Sequence, residues 1–209
     1  SLNEKTWIGE DGGNDNVAFS VQVPCDVTVI YDPATNDIDI EYTYITSLTM
    51  AGNGNYTNYN WLSGSTWIED DETNHMEYLG NNIWGKTYYG LKPNDYEFKI
   101  ALNDSWQLSL GTNGNMVSGT YYDATRYSND QNSGKSTFTL TDNAETNEVD
   151  TYNLHLRVDL SEYDPITGTG AKIMMITVPF ENIPVYGGEI VASGMVDHKT
   201  DNLQIHPGM

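Results

Sequence analysis

Apolar residues in this sequence recur with a period of two. In Asp26–Asp32, Val27, Val29 and Tyr31 share one face. In residues 96–102, Tyr96, Phe98, Ile100 and Leu102 oppose Glu97 and Lys99. In residues 153–160, Leu154, Leu156, Val158 and Leu160 point one way, and His155, Arg157 and Asp159 the other. Successive side chains of an extended strand point to opposite faces, so this is the pattern of half-buried antiparallel strands. A helical pattern, apolar at i, i+3, i+4 and i+7, is never sustained over about 11 residues without Gly, Pro or Asn intervening. Turn signals separate the runs at Asp32-Pro33, Asn53-Gly54, Lys92-Pro93-Asn94-Asp95, Asn113-Gly114 and Asp164-Pro165. Short strands punctuated in this way predict an all-β sandwich with little or no helix.

The sequence also repeats itself. Tyr31-Asp32-Pro33-Ala34-Thr35 and Tyr163-Asp164-Pro165-Ile166-Thr167 agree at four of five positions. Around them, residues 7–40 echo residues 106–176: a Trp, a Gly/Asn loop, a Phe-containing strand, an alternating strand and the Asp-Pro turn. Two related β units are expected, the first lacking its opening half. The boundaries are a partial unit at residues 1–44, a complete unit with insertions at 45–178, and a C-terminal extension at 179–209 packed on the sandwich. Residues 1–44 either form their own lobe or complete a sheet of the second unit.

Charge narrows the partners. Nine Lys+Arg stand against 30 Asp+Glu, for a formal net charge of −21. Nine scattered cations make no basic patch, which excludes nucleic acid, and the same sign excludes an anionic membrane surface. The longest apolar stretch, around residues 173–178, is far below the roughly 20 residues of a spanning helix. The one cysteine, Cys25, has no partner for an internal disulfide and reads as a small half-buried hydrophobe. Ser1 is not a natural start, so the chain reads as a processed or excised piece, and its Lys-poor, neutral-polar surface points to a secreted or cell-surface location.

Catalytic signals are weak. Gly-x-Ser-x-Gly, His-Glu-x-x-His and phosphate-loop patterns do not occur. Glu69-Asp70-Asp71-Glu72 reads as a solvated loop, and Asp37-Ile38-Asp39-Ile40-Glu41 as the polar face of a strand. His75, His155, His198 and His206 are dispersed, and the Asp/Asn loops at residues 11–16 and 123–130 lack the spacing of a calcium loop. The expectation is no catalytic residue, no metal and no cofactor.

Residues 47–111 carry a specific pattern: Ser47-Leu-Thr-Met-Ala-Gly-Asn-Gly54, Asn60-Trp61-Leu-Ser-Gly-Ser-Thr-Trp67, Asn82-Ile-Trp84-Gly-Lys-Thr87 and Gly90-Leu-Lys-Pro-Asn-Asp-Tyr-Glu-Phe-Lys-Ile-Ala-Leu-Asn-Asp-Ser-Trp106. This resembles the accessory β-sandwich modules of pullulanases and of outer-surface starch-binding proteins, most distinctively in the block from Tyr96 to Trp106. The resemblance covers roughly residues 7–178, and the chain as a whole looks like a domain of the starch adherence system (amylosome) proteins of gut bacteria. It departs where the family's Trp-Asp-Pro is Trp67-Ile68-Glu69. The resemblance implies immunoglobulin-like sandwich units and non-catalytic binding of starch, amylopectin or malto-oligosaccharides, with proteins of an extracellular amylolytic complex as further partners.

Glucose packs its apolar C–H faces on aromatic rings, while its hydroxyls need planar donors and acceptors. Four aromatics, Tyr56, Tyr59, Trp61 and Trp67, fall in one Gly/Asn-rich loop, and loops carry binding more often than cores do. Trp61 leads as the stacking ring. Trp84, Lys86 and Tyr88 share one face of an extended strand as a second platform; Trp106, echoed by Trp7, and Tyr121, with Tyr122 and Tyr127, complete the candidates. Packing roles stay open for Trp67 as a plug at the end of the sandwich and for Trp84 and Trp106 as core rings. The rival functions are a structural or protein-docking module and, behind it, a glycoside hydrolase.

Overall fold

The computed structural model describes residues 19–53, 61–142 and 150–179. Tyr56 and Tyr59, the loop at 11–16, Trp7 and nearly all of the 179–209 extension lie outside the described residues. The strands run β1 (Asp26–Asp32), β2 (Asp37–Thr43), β3 (Leu48–Gly52), β4 (Glu77–Gly80), β5 (Ile83–Leu91), β6 (Asn94–Leu102), β7 (Ser105–Gly111), β8 (Gly114–Asn115), β9 (Tyr121–Asp123), β10 (Thr125–Ser128), β11 (Ser136–Leu140), β12 (Tyr152–Asp159) and β13 (Lys172–Pro179). Among the described residues the only helical elements are 3-10 turns at Leu62–Gly64 and Glu72–Asn74. The fold is all-β, as the alternation predicts.

The strands form three sheets. β1 and β2 make an antiparallel pair of their own. A second sheet runs β10-β7-β6-β11-β8, with β3 also paired to β6, and a third runs β4-β5-β12-β13-β9. All pairings are antiparallel except β8 with β11. The second and third sheets feed one buried cluster, Met50, Phe98, Ile100 and Leu110 from the former and Leu154, Leu156, Val158 and Ile173 from the latter. These are the faces the alternation marks in β6 and β12.

Trp61 belongs to that core, which corrects its assignment as the leading stacking ring. It is 0% exposed. Its ring lies 5.0 Å from Tyr88, 5.2 Å from Tyr96, 5.7 Å from Phe138 and 6.4 Å from Phe98, all tilted or edge-on. The indole N–H donates to the Asn53 carbonyl, satisfying the one polar group that burial would orphan. A ring with no accessible face cannot stack on a sugar.

Asparagine has a structural task here. Of the ten non-glycine residues at positive φ among the described residues, six are Asn, so part of the chain's content of 22 Asn is turn chemistry rather than ligand chemistry. Asn81-Asn82 joins β4 to β5 and Asn103-Asp104 joins β6 to β7, each pair with both residues at positive φ. Two-residue hairpin loops need that geometry to match the sheet twist.

The repeat has a physical counterpart. Asp32 and Asp164 each accept the backbone N–H two residues on, from Ala34 and Ile166, both at 2.8 Å. Each Asp-Pro turn lies between paired strands, β1 with β2 and β12 with β13. The hairpins differ in cover. Leu156 and Val158 on β12 are buried, whereas Val29 and Tyr31 on β1 are 54% and 53% exposed. The expected half-buried face of β1 is therefore open among the described residues.

Candidate functional site

The second sheet shows its outward face around Lys99. Pairing places Thr49, Ala101, Ser109 and Tyr127 in one row across β3, β6, β7 and β10, and Ala51 beside Lys99 in the next. Residues directly opposite in a ladder share a face. Thr49, Ala51, Ala101 and Ser109 are small, leaving space beside Lys99 for the rings of Tyr127 and Trp106.

Trp67 reaches this face through a strained backbone. Its φ is +50°, the left-handed region that a bulky residue rarely adopts. The position is secured by its N–H, which donates to the Gly52 carbonyl at 2.8 Å. Strain of this kind persists only where the surroundings over-determine it, and it clusters at ligand sites. Trp106 lies at the start of β7, with its ring centroid 6.3 Å from that of Trp67 and the two planes 47° apart. Both rings are half-buried.

Two lysines brace the aromatics. Lys135 Nζ lies 4.5 Å from the Trp67 centroid and 2.9 Å from Glu97 Oε1. Lys99 is 0% exposed. Its Nζ lies 4.5 Å from the Tyr127 centroid and 5.9 Å from that of Trp106, and donates to the Asp130 carbonyl. Burial pushes the Lys99 pKa down, the Asp130 carboxylate pulls it back up, and Lys135 pushes it down again. Cations over ring faces hold the rings in place.

A hollow of about 450 Å³ opens beside Trp106, lined by Glu69, Gln107, Asp130, Gln131 and Asn132 among others. The segment around Asp130 is tightly built. A Cβ at Gly134 would overlap the Tyr127 ring, and one at Gly111 would overlap the Gly134 carbonyl, so only glycine lets these backbones approach. Asp130 Oδ1 accepts the N–H groups of Asn132 and Ser133 at 2.8 and 2.9 Å. Hydrogen bonds from the Ser133 side chain and backbone, then from the Asn132 backbone, hold its carboxyl down at about 2, against an ordinary 3.8.

A lowered carboxyl stabilises the folded loop above its ordinary value and loses that contribution as pH falls through the folded value. The Asn132 and Ser133 amide NMR shifts should therefore stay constant from pH 7 down through pH 4 and move only as pH approaches about 2. A midpoint near the ordinary carboxyl value would mean that the loop does not hold Asp130 as described.

The other expected residues lie elsewhere. Trp84 meets Tyr78 edge-on at 5.1 Å on the third sheet. Lys86 shares its strand face with Trp84 and Tyr88, as alternation predicts, but its amine donates to the Thr73 carbonyl at 2.6 Å. Tyr88 is buried and donates to Asn74 Oδ1 at 3.0 Å, and Trp84 is partly buried against the core, so this strand face presents no open row of rings. Tyr121 is 41% exposed on β9 and pairs with Met174, away from Trp67 and Trp106. Tyr127, grouped with Tyr121 and Tyr122 in sequence, lies on a different sheet from both.

Lys99, Lys135, Gln107, Gln131 and Asn132 carry no local signal of a site in the sequence, and Asn129 and Asp130 enter there only as the end of the 123–130 loop weighed for calcium. Alternation marks Lys99 as facing away from the core, but which rings cover it depends on the pairing of β6, β7 and β10. Among the described residues no three His, Cys, Asp or Glu side chains are grouped to hold a metal ion. No protein-family model matches the chain, and no curated protein matches it significantly.

Proposed function

We propose that this chain is a non-catalytic binding protein for starch and related α-1,4-glucans, holding a secreted or cell-surface assembly against its polysaccharide. The observation that carries the reading is the Trp67–Trp106 pair, 6.3 Å apart and inclined at 47°. Two rings in one plane suit a straight chain, whereas inclined rings follow the curvature of an α-1,4-linked one. Gln107, Gln131 and Asn132 line the hollow beside Trp106 and supply planar donors and acceptors that suit vicinal sugar hydroxyls. Glu69 and Asp130 at the hollow disfavour an anionic ligand, and Lys99 is buried beneath its rings. A neutral sugar fits that balance.

Native gel electrophoresis with and without amylopectin tests the reading. The chain should be retarded by the polysaccharide, and unchanged migration would sink the proposal in favour of a spacer or protein-docking role. Retardation should also be nearly the same from low salt to about 0.5 M NaCl, because a neutral ligand offers no charge to screen. Loss of binding at moderate salt would point to an ionic partner instead.

A further inference from the structure

A second cavity, of about 660 Å³, lies apart from the Trp67–Trp106 face and shares no lining residue with the hollow beside Trp106. One wall is the end of β2 and the residues after it. There Tyr42 and Tyr44 project on the same side, with centroids 6.2 Å apart and planes only 17° from parallel. The Asn103 side chain ties this wall to the β6–β7 turn, donating to the Tyr44 carbonyl and accepting the Thr46 N–H, both at 2.8 Å. Trp84, Tyr78, Tyr163 and Pro165 also line the space.

The chemistry of the lining selects a ligand class. None of the lining residues is charged, in a chain with 30 acids and nine bases. The nearby Asp164 contributes negative charge at Tyr44, so an anion is disfavoured. The tyrosine and tryptophan rings offer flat apolar surface, while the Tyr42, Tyr44 and Tyr78 hydroxyls, Thr43 and the exposed Asn82 offer hydrogen-bonding groups. The volume falls within the roughly 300–1,000 Å³ of small-molecule sites. Flat rings, neutral polar groups and no charge suit a neutral pyranose chain.

We infer that this cleft is a second saccharide site, so that one chain holds α-glucan at two separate places. The identity of the sugar rests on the reading proposed above; the cleft and its neutral, aromatic lining do not. Two sites on one polymer raise retention by making the second binding event intramolecular.

Calorimetric titration of the full chain with maltoheptaose tests this, using wild type, Trp67→Ala/Trp106→Ala, Tyr42→Ala and Trp84→Phe, with thermal melts to confirm folding. Wild type should bind two equivalents, and Tyr42→Ala and the double variant one each. Trp84→Phe, which keeps an aromatic ring, should weaken only the site that the double variant retains. On granular starch, Tyr42→Ala should lower retention by about 100-fold through lost avidity. A single equivalent in wild type, unaffected by Tyr42→Ala, overturns the second site; this includes the case where another segment of the chain fills the cleft. Binding that is lost with Tyr42→Ala but untouched by the double variant overturns the Trp67–Trp106 reading and leaves the cleft standing.

Discussion

Trp61→Ala should destabilise the fold by about 3–5 kcal/mol, the cost of removing a large aromatic from a core that cannot collapse around the gap. The ring is fully buried and meets Tyr88, Tyr96, Phe98 and Phe138 at centroid distances of 5.0–6.4 Å. Truncation removes those contacts and leaves the Asn53 carbonyl without the indole donor. Urea unfolding measures the effect: the midpoint should fall with little change in slope, since a similar surface is exposed on unfolding. Trp61→Phe should recover part of the loss. Below the unfolding midpoint, Trp61→Ala should bind amylopectin as wild type does. A variant of undiminished stability that no longer binds would contradict the core assignment and restore Trp61 to the ligand face.

The largest effect on binding is expected from Trp67→Ala combined with Trp106→Ala. Loss of well-placed aromatic anchors costs on the order of 2–4 kcal/mol at a hot spot, which is about 30- to 1,000-fold in affinity at that site. The removed rings take with them the surface that Lys135 and Lys99 brace. Stability should change less than for Trp61→Ala, because both rings are only half-buried. Maltoheptaose titration at the Trp67–Trp106 site, with urea unfolding in parallel, separates the two effects. Unchanged affinity there in a folded double variant would mean that the inclined pair is structural.

The two tryptophans of the 60–67 segment reverse their sequence-based ranking: Trp61, the leading stacking ring, lies in the core, while Trp67, a possible plug, is half-buried beside Trp106. Both lie near Gly and Ser in a stretch without strand alternation, and nothing local distinguishes an inward ring from an outward one. What separates them is the neighbourhood each backbone reaches: Trp61 arrives among four core rings, while the Trp67 N–H is captured by Gly52 with φ at +50°. Lys99 reverses the usual expectation in a similar way. Its alternation marks a face turned from the core, yet Trp106 and Tyr127 cover it so fully that it is as buried as Phe98.

By itself the sequence determined the strand class, the inward faces of β6 and β12, and the Asp-Pro turns that recur in two hairpins. These follow from local rules: the two-residue period of a strand and the hydrogen bond of an aspartate to a backbone two residues on. Only the tertiary structure decided which aromatics meet at the surface. Trp67 and Trp106 are 39 positions apart, and Tyr127 joins their neighbourhood through the β7–β10 pairing. An aromatic cluster of this kind is a property of strand order and register, which bring distant residues together and are not written in any one segment.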